Sequence, residues 1–477
     1  MQQSRPPDQA TPHASRLSLL SWALFDWANQ PYFTLITTFI FFPYFTSGFI
    51  SNPVEGQILL GYTLAIAGLL IALLGPVWGA LADASGARKP WLLVFSFFFV
   101  IACANLWAAL PGAPQGPTFI AAMIILASVS IESAIIFYNA ILPELTPPER
   151  MGRLSGFGWG LGYVGGLFSL FIMLFAFSLP GTGFPFVPDA PWLGIDPALN
   201  EAERLSGPFS ALWYVVFVIP FFVFVPDRPS TRIGVTGAVG KGLKTLWGTF
   251  RHLRQYRNIS IFLIARMFYN DGLAALFAFG GVYARGVFGW DVTALALFGI
   301  VLLIFSAIGA FLGGLLDDLW GSRTTIKVAL GGLILGGVGA ASITRSGILF
   351  VIATPSGGAD AGLFTSLPEQ VYLAFSALVG IAAGPVQAAS RTFLARLAPR
   401  AMVTEFFGLY ALSGKATTFA APLLISWMTA LFATQRASLF VILLFLFIGY
   451  MLLNRVDPLK KGPDSEVLIN DGNGVCR

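Results

Sequence analysis

Twelve apolar stretches recur along the 477-residue chain, at about 19–48, 57–81, 91–110, 118–141, 154–179, 209–225, 259–284, 292–316, 325–344, 369–390, 404–432 and 437–453. A helix needs about 20 such residues to cross a hydrocarbon core about 30 Å thick. Helices are the expected spanning form, because each satisfies its own backbone polar groups in lipid. The stretches are too long and too continuously apolar for barrel strands. With 56% hydrophobic and 11% charged residues, a water-soluble fold would leave far too much apolar surface exposed.

Two of these stretches close on the same turn. Gly79-Ala-Leu-Ala-Asp83-Ala-Ser-Gly86-Ala-Arg88 and Gly314-Leu-Leu-Asp-Asp318-Leu-Trp-Gly321-Ser-Arg323 share Gly, Asp, Gly and Arg at one spacing, 235 residues apart. A second set, Leu142, Leu145, Pro147, Gly156 and Gly162, recurs 252 residues later as Leu394, Leu397, Pro399, Gly408 and Gly414. The larger offset implies residues gained between the two sets, in the Gly- and Ser-rich loop before residue 368. The expected fold is therefore an all-α membrane protein with twelve transmembrane helices in two pseudo-symmetric six-helix halves, the layout of a secondary transporter. The expected division is a tail over 1–18, a bundle over 19–225, a linker over 226–258 with an amphipathic helix at Lys241–Arg257, a second bundle over 259–453 and a tail over 454–477.

Charge sets the orientation. With the N-terminus in the cytoplasm, 22 of the 28 Lys and Arg fall on the cytoplasmic side, Arg391 counted among them. Arg204, Arg285, Arg345 and Arg436 fall outside, and Arg266 and Lys415 lie within apolar stretches. Both termini are thus expected in the cytoplasm of a multi-pass protein of the cell membrane, a bacterial cytoplasmic membrane. The net charge of +5 follows from topology and gives no nucleic-acid signal. The basic run Arg251–Arg257 reads as a contact with anionic headgroups. The first apolar stretch is too long for a signal-peptide core and reads as a retained helix. Cys103 and Cys476 suggest neither a disulfide nor a metal site. Gly160-Leu-Gly162-Tyr-Val-Gly165 matches a dinucleotide pattern but lies in an apolar helix with no strand before it. Gly240-Lys241 lacks the rest of a phosphate loop. His13 and His252 are the sole histidines. No enzyme activity, cofactor or metal is expected, and the expected assembly is a monomer.

In the repeated turns, glycine permits a tight bend and close approach. Asp83 and Asp318 are expected to accept hydrogen bonds from Arg88 and Arg323, or from a facing helix N-terminus. Such a contact suits a latch that opens once per cycle; a static turn is the alternative. Gly79, Asp83, Gly86, Arg88, Gly314, Asp318, Gly321 and Arg323 form this expected gate.

Several motifs carry a resemblance. Beside the turns stand Asp26-Trp27-Ala28-Asn29, Phe137-Tyr138-Asn139-Ala140 running into Pro143, Pro147-Pro148-Glu149-Arg150 followed by Gly152-Arg153-Leu154-Ser155-Gly156, and Tyr269-Asn270-Asp271-Gly272. Together they resemble the autophagy-related vacuolar amino-acid effluxers and their bacterial relatives, within the major facilitator superfamily. The resemblance implies the major facilitator fold, alternating access, efflux of amino acids and a central cavity lined by helices 1, 4, 7 and 10.

Asp26, Glu132, Arg266, Asp271 and Lys415 lie within apolar stretches, where an ionisable group is costly and needs a partner, water or a function. Trp22, Asp26, Asn29 and Phe33 share one helical face, as do Ser128, Glu132 and Asn139. Ser376, Gly380, Gly384, Gln387 and Arg391 form a small and polar stripe along helix 10, with Arg391 just past the end of the tenth apolar stretch. Arg266 reads either as snorkelling to the interface or as a buried group. Lys415 is expected to pair with Asp271 or Glu132. The expected site for substrate or coupling protons comprises Asp26, Asn29, Glu132, Asn139, Asn270, Asp271, Gln387 and Lys415. Asp26 or Glu132 is expected to take up a proton, because burial disfavours the charged carboxylate. Pro31 withholds an amide from the carbonyl of Trp27, and Asp271-Gly272 is expected to weaken helix 7, so both helices read as interruptible. Gly158, Gly162 and Gly166 on one helix, and Ser306, Ala310 and Gly314 on another, form ridges for close packing, across the halves or within one. Export of hydrophobic drugs or lipids, and a non-transporting membrane sensor, are the alternative functions.

Overall fold

The computed structural model describes residues 14–112, 116–178, 187–229, 256–290, 292–354, 364–400, 402–414 and 436–457, with 417, 424, 428 and 431 between. Of the expected amphipathic helix at 241–257 only Tyr256 and Arg257 are described, and Lys415 lies outside the described residues.

Among the described residues the main helices are α1 (Arg16–Pro31), α2 (Pro53–Ser85), α3 (Lys89–Asn105), α4 (Gly116–Leu145), α5 (Met151–Met173), α6 (Glu201–Phe224), α7 (Arg257–Phe288), α8 (Val292–Trp320), α9 (Ser322–Ala341), α10 (Leu367–Leu397), α11 (Val403–Ser413) and α12 (Arg436–Leu453). Among the described residues, nine helical spans are long and apolar enough to cross a membrane. A small antiparallel hairpin, β1 (Gly347–Ile348) with β2 (Ile352–Ala353), follows α9. Leu69, Leu73, Phe168, Phe171, Leu312 and Leu335 are exposed. An outward apolar surface of this kind is the reverse of a soluble fold and fits a lipid surround.

The two repeated turns join α2 to α3 and α8 to α9, on one face of the bundle, called here the turn face. Their second glycines, Gly86 and Gly321, have φ of 84° and 82°. A side chain there would be strained, which is the physical reason that glycine recurs.

The halves meet along two equivalent seams. Gly156 of α5 lies against Ala310 and Gly314 of α8, so close that a β-carbon at 156 would stand 2.5 Å from the Gly314 Cα. Gly408 of α11 lies against Gly75 and Pro76 of α2, where a β-carbon would stand 2.7 Å from the Pro76 Cα. Gly408 is the repeat mate of Gly156, and Gly314 is the mate of Gly79, which itself packs on Thr404 and Glu405. Each repeat therefore docks on the other repeat of the opposite half. The ridge of Gly158, Gly162 and Gly166 turns the other way, toward Asp26 and Gln30 of α1 and Thr34 just beyond it, in its own half. Ser306 and Ala310 lie against Gly384 of α10, also in their own half.

The expected interruptions divide. α1 ends its regular winding at Pro31 and continues as a π-helical stretch, Tyr32–Phe39. There the Thr37 and Thr38 hydroxyls donate to the Phe33 carbonyl at 2.6 and 2.8 Å. The Trp27 carbonyl that Pro31 deprives of an amide accepts from Trp213 Nε1 of α6 at 3.1 Å, so it is not open to a ligand. α7 runs through Asp271-Gly272 without a break, and Gly272 packs on Leu446 of α12.

Candidate functional site

The turn face carries a doubled latch. The Asp83 carboxylate accepts from the backbone N–H of Glu405 at 2.9 Å. Glu405 is the third residue of α11, and its amide is one of the donors that a helix start leaves without an internal acceptor. Arg88 Nε donates to Thr404 Oγ1 at 2.9 Å, Nη2 stands 3.6 Å from Asp83, and Nη1 is paired with Glu144. In the second half, Asp318 accepts from the amides of Gly152 (2.8 Å) and Arg153 (3.1 Å), the second and third residues of α5. Each aspartate thus caps a helix of the opposite half. A cap contributes about 1 kcal/mol, and a carboxylate at a helix N-terminus is favoured further by the helix dipole.

The arginines of the two turns differ. Arg323 does not meet Asp318; it donates to the carbonyls of Leu453 (3.3 Å) and Asn454 (2.7 Å) at the end of α12. Its place beside Asp318 is taken by Arg396 of α10, at 3.2 Å, which also holds Asp317 at 2.7 Å. The spacing of the turns could not reveal Arg396 because it lies outside them, on the segment of the second repeat.

Deeper in the bundle, Asp26 meets Arg391. Arg391 Nη1 stands 3.0 Å from Asp26 Oδ2, joining α1 to α10 across the halves. The arginine is 3% exposed and the aspartate 9%. Tyr138 Oη donates to the same carboxylate oxygen at 2.9 Å. Arg391 Nη1 also reaches Asn139 Oδ1 at 3.4 Å, and Nε and Nη2 donate to Ser155 Oγ (2.8 Å) and the Ser155 carbonyl (2.6 Å). Ser155 Oγ in turn donates to the Ala388 carbonyl at 2.8 Å. The guanidinium lies 4.9 Å from the Trp22 ring and 5.8 Å from that of Trp159, a favourable setting for a cation. Trp22 is fixed by stacking on Tyr138 at 4.5 Å and by donating Nε1 to the Tyr138 carbonyl.

Arg391 is therefore no cytoplasmic loop charge. Its signal was the stripe Ser376, Gly380, Gly384, Gln387 and Arg391, which already placed it on one face with the small residues. Asn29 shares the helix but not the network, since its Nδ2 donates to the Phe25 carbonyl at 2.9 Å. Asp271 is buried on α7, and Asn270 and Gln387 are half-buried on α7 and α10. Glu132 is half-buried on α4, one turn after Ser128, whose hydroxyl bonds Tyr32 Oη at 2.7 Å. Arg266 does not snorkel: it is buried, with its guanidinium over the Tyr410 ring.

Two bundles latched on one face and tied at the core by a carboxylate and a guanidinium form a recognisable arrangement, and residues 148–466 match the family model described as vacuole effluxer Atg22 like. The chain belongs to this family. Residues 4–185 of this Atg22-like protein also match the major facilitator superfamily model. It is 28% identical over 439 residues to the MFS-type transporter YxiO of Bacillus subtilis, covering 91% of this chain and 93% of that one. It is 23% identical over 332 residues to autophagy-related protein 22-1 of Penicillium rubens, and there it spans 68% of its own length and 52% of the fungal protein. Its fold is similar to that of the proton:xylose symporter XylE (TM-score 0.65, 14% identity, 92% of this chain and 94% of that one) and to FucP in the outward conformation (TM-score 0.65, 12% identity, 93% and 98%). The protein is a multi-pass membrane transporter of the major facilitator superfamily.

Proposed function

We propose that this Atg22-like transporter exports a small zwitterionic metabolite, an amino acid or a close relative, across a bacterial cytoplasmic membrane, coupled to protons. The observation that carries the reading is the Asp26–Arg391 pair. Removing one partner of a buried ion pair costs about 3–5 kcal/mol, because the other charge is left uncompensated. A proton on Asp26 does the same reversibly. While Asp26 is charged, it holds the guanidinium of the opposite half and keeps the turn face shut. Once neutral, it releases α10 from α1 and α4, and the latches at Asp83 and Asp318 are left to open. The Lys and Arg bias puts the turns in the cytoplasm, so deprotonation closes the transporter toward the cell interior. Glu132, Asn139, Asn270, Asp271 and Gln387, on α4, α7 and α10, are the proposed contacts for the polar solute, with Lys415, outside the described residues, as a further proposed contact. The amino-acid class and the export direction rest on kinship with the vacuole effluxers.

Flux of labelled amino acids into proteoliposomes under an imposed pH gradient tests the reading. Asp26→Asn is expected to abolish the response to the gradient while amino-acid exchange without a gradient persists. Unchanged gradient-driven flux in both Asp26→Asn and Glu132→Gln removes proton coupling from these residues. Inhibition by lipophilic dyes but not by amino acids moves the substrate class to hydrophobic cations.

A further inference from the structure

Arg266 is a second buried cation, and its surroundings differ from those of Arg391. It stands nine residues into α7, about 14 Å from the turn face at about 1.5 Å per residue, and is 7% exposed. Its Nη1 donates to the Tyr410 carbonyl at 2.8 Å and to Ser413 Oγ at 2.9 Å, both on α11. Its plane lies over the Tyr410 ring, 3.4 Å from the centroid. These partners are neutral. The ion pairs formed among the described residues leave Arg266 out, and its Nε is buried with no acceptor.

Arginine side chains keep their proton in proteins, and an uncompensated charge inside a membrane bundle is expensive. The same residue type on α10 has Asp26 as counter-ion; the one on α7 is held but has no counter-ion among the described residues. Both of its hydrogen bonds leave from Nη1, so the edge formed by Nε and Nη2 has no acceptor among the described residues. Glycine at 414 keeps side-chain bulk off the fork: a β-carbon there would stand 2.9 Å from Nη1 and 3.3 Å from Nη2.

We infer that Arg266 anchors a carboxylate carried by the substrate. Two parallel N–H donors on one guanidinium edge match the two oxygens of a carboxylate, and stacking on Tyr410 fixes the plane in which they are offered. This assignment rests on the proposed transport of a small zwitterion and makes it narrower: the substrate must carry an acid group, and the amine alone is insufficient.

Counterflow in proteoliposomes tests it, with the twenty common amino acids, their decarboxylated amines and their deaminated acids as probes. The expected result is that wild-type protein moves acid-bearing probes and not the amines, and that Arg266→Gln raises KM for them at least tenfold. Gly414→Ala, which keeps the charge but intrudes on the fork, is expected to raise KM several-fold and decides the matter if Arg266→Gln does not insert. Equal transport of amino acids and their amines, or wild-type KM in the variants, overturns the anchor and leaves amino-acid export standing. Movement of deaminated acids but not amino acids keeps the anchor and overturns the zwitterion. Movement of none of the probes overturns both.

Discussion

The carboxylate of Asp83 sits 2.9 Å from the backbone nitrogen of Glu405, 322 residues further along the chain and in the opposite half of the molecule. Its repeat mate Asp318 caps α5 in the same way at Gly152 and Arg153. A helix start presents unsatisfied N–H groups and a partial positive charge, so each half offers both an acid and a receptor for the acid of the other. The duplication thus yields two latches that engage on one face.

Asp83→Ala and Asp318→Ala are expected to shift the equilibrium toward an open turn face. Loss of a cap costs about 0.5–2 kcal/mol, and about 1–2 kcal/mol changes a two-state ratio roughly 5- to 30-fold. Val403 and Met151, both buried at the helix starts that the aspartates cap, supply the reporters. In a background lacking Cys103 and Cys476, maleimide labelling of Val403→Cys and of Met151→Cys is expected to quicken in both aspartate variants, since both latches close the same face. Faster labelling at the nearer reporter alone shows instead that the latches open independently.

Much of this architecture was legible because it is written in composition and repetition. A spanning helix demands about 20 apolar residues whatever its neighbours, so the segments stand out singly. The Gly-Asp-Gly-Arg turn stands out because a positive φ at Gly86 and Gly321 admits little else. Contacts between distant segments left weaker marks. Arg391 lies 365 positions from Asp26, and near the end of an apolar stretch its charge reads as a loop charge. The ridge of Gly158, Gly162 and Gly166 announces close packing but not the partner, since α5 also carries small residues on the face toward α8. Trp213 was invisible for a related reason: the carbonyl freed by Pro31 is local knowledge, while its donor sits on another helix.

The seam glycines give a second prediction. Gly156→Ala and Gly408→Ala are expected to abolish transport while leaving insertion intact, because their β-carbons would strike backbone atoms of Gly314 and Pro76, which cannot swing aside as a side chain does. The turn face is then wedged open, and the Val403→Cys reporter labels quickly in either variant. Gly162→Ala is the control. A β-carbon there meets its nearest neighbours at 3.3 Å or more, within its own half, so transport is expected to fall by less than half. Equal loss in all three variants means that glycine serves general helix packing and has no special part at the seam.

The third prediction concerns the irregular winding of α1. Pro31 has no amide to give to the Trp27 carbonyl, and Trp213 Nε1 supplies the hydrogen instead. Trp213→Phe keeps most of the ring contact with Trp27, which stacks at 5.6 Å, but leaves a carbonyl unsatisfied away from water, at a cost of about 1–3 kcal/mol. Thermal unfolding in detergent is expected to show a lower midpoint for this variant. Pro31→Ala in the Trp213→Phe background restores a local amide and is expected to recover part of the loss, while Pro31→Ala alone gains little because the carbonyl is already engaged. A midpoint in the double variant no higher than in Trp213→Phe separates the two sites and assigns the effect of Trp213 to ring packing with Phe209 and Phe217. Recovery ties the π-helical stretch beyond Pro31 to a single hydrogen bond from α6, and makes that bond the support on which the outer part of α1 bends.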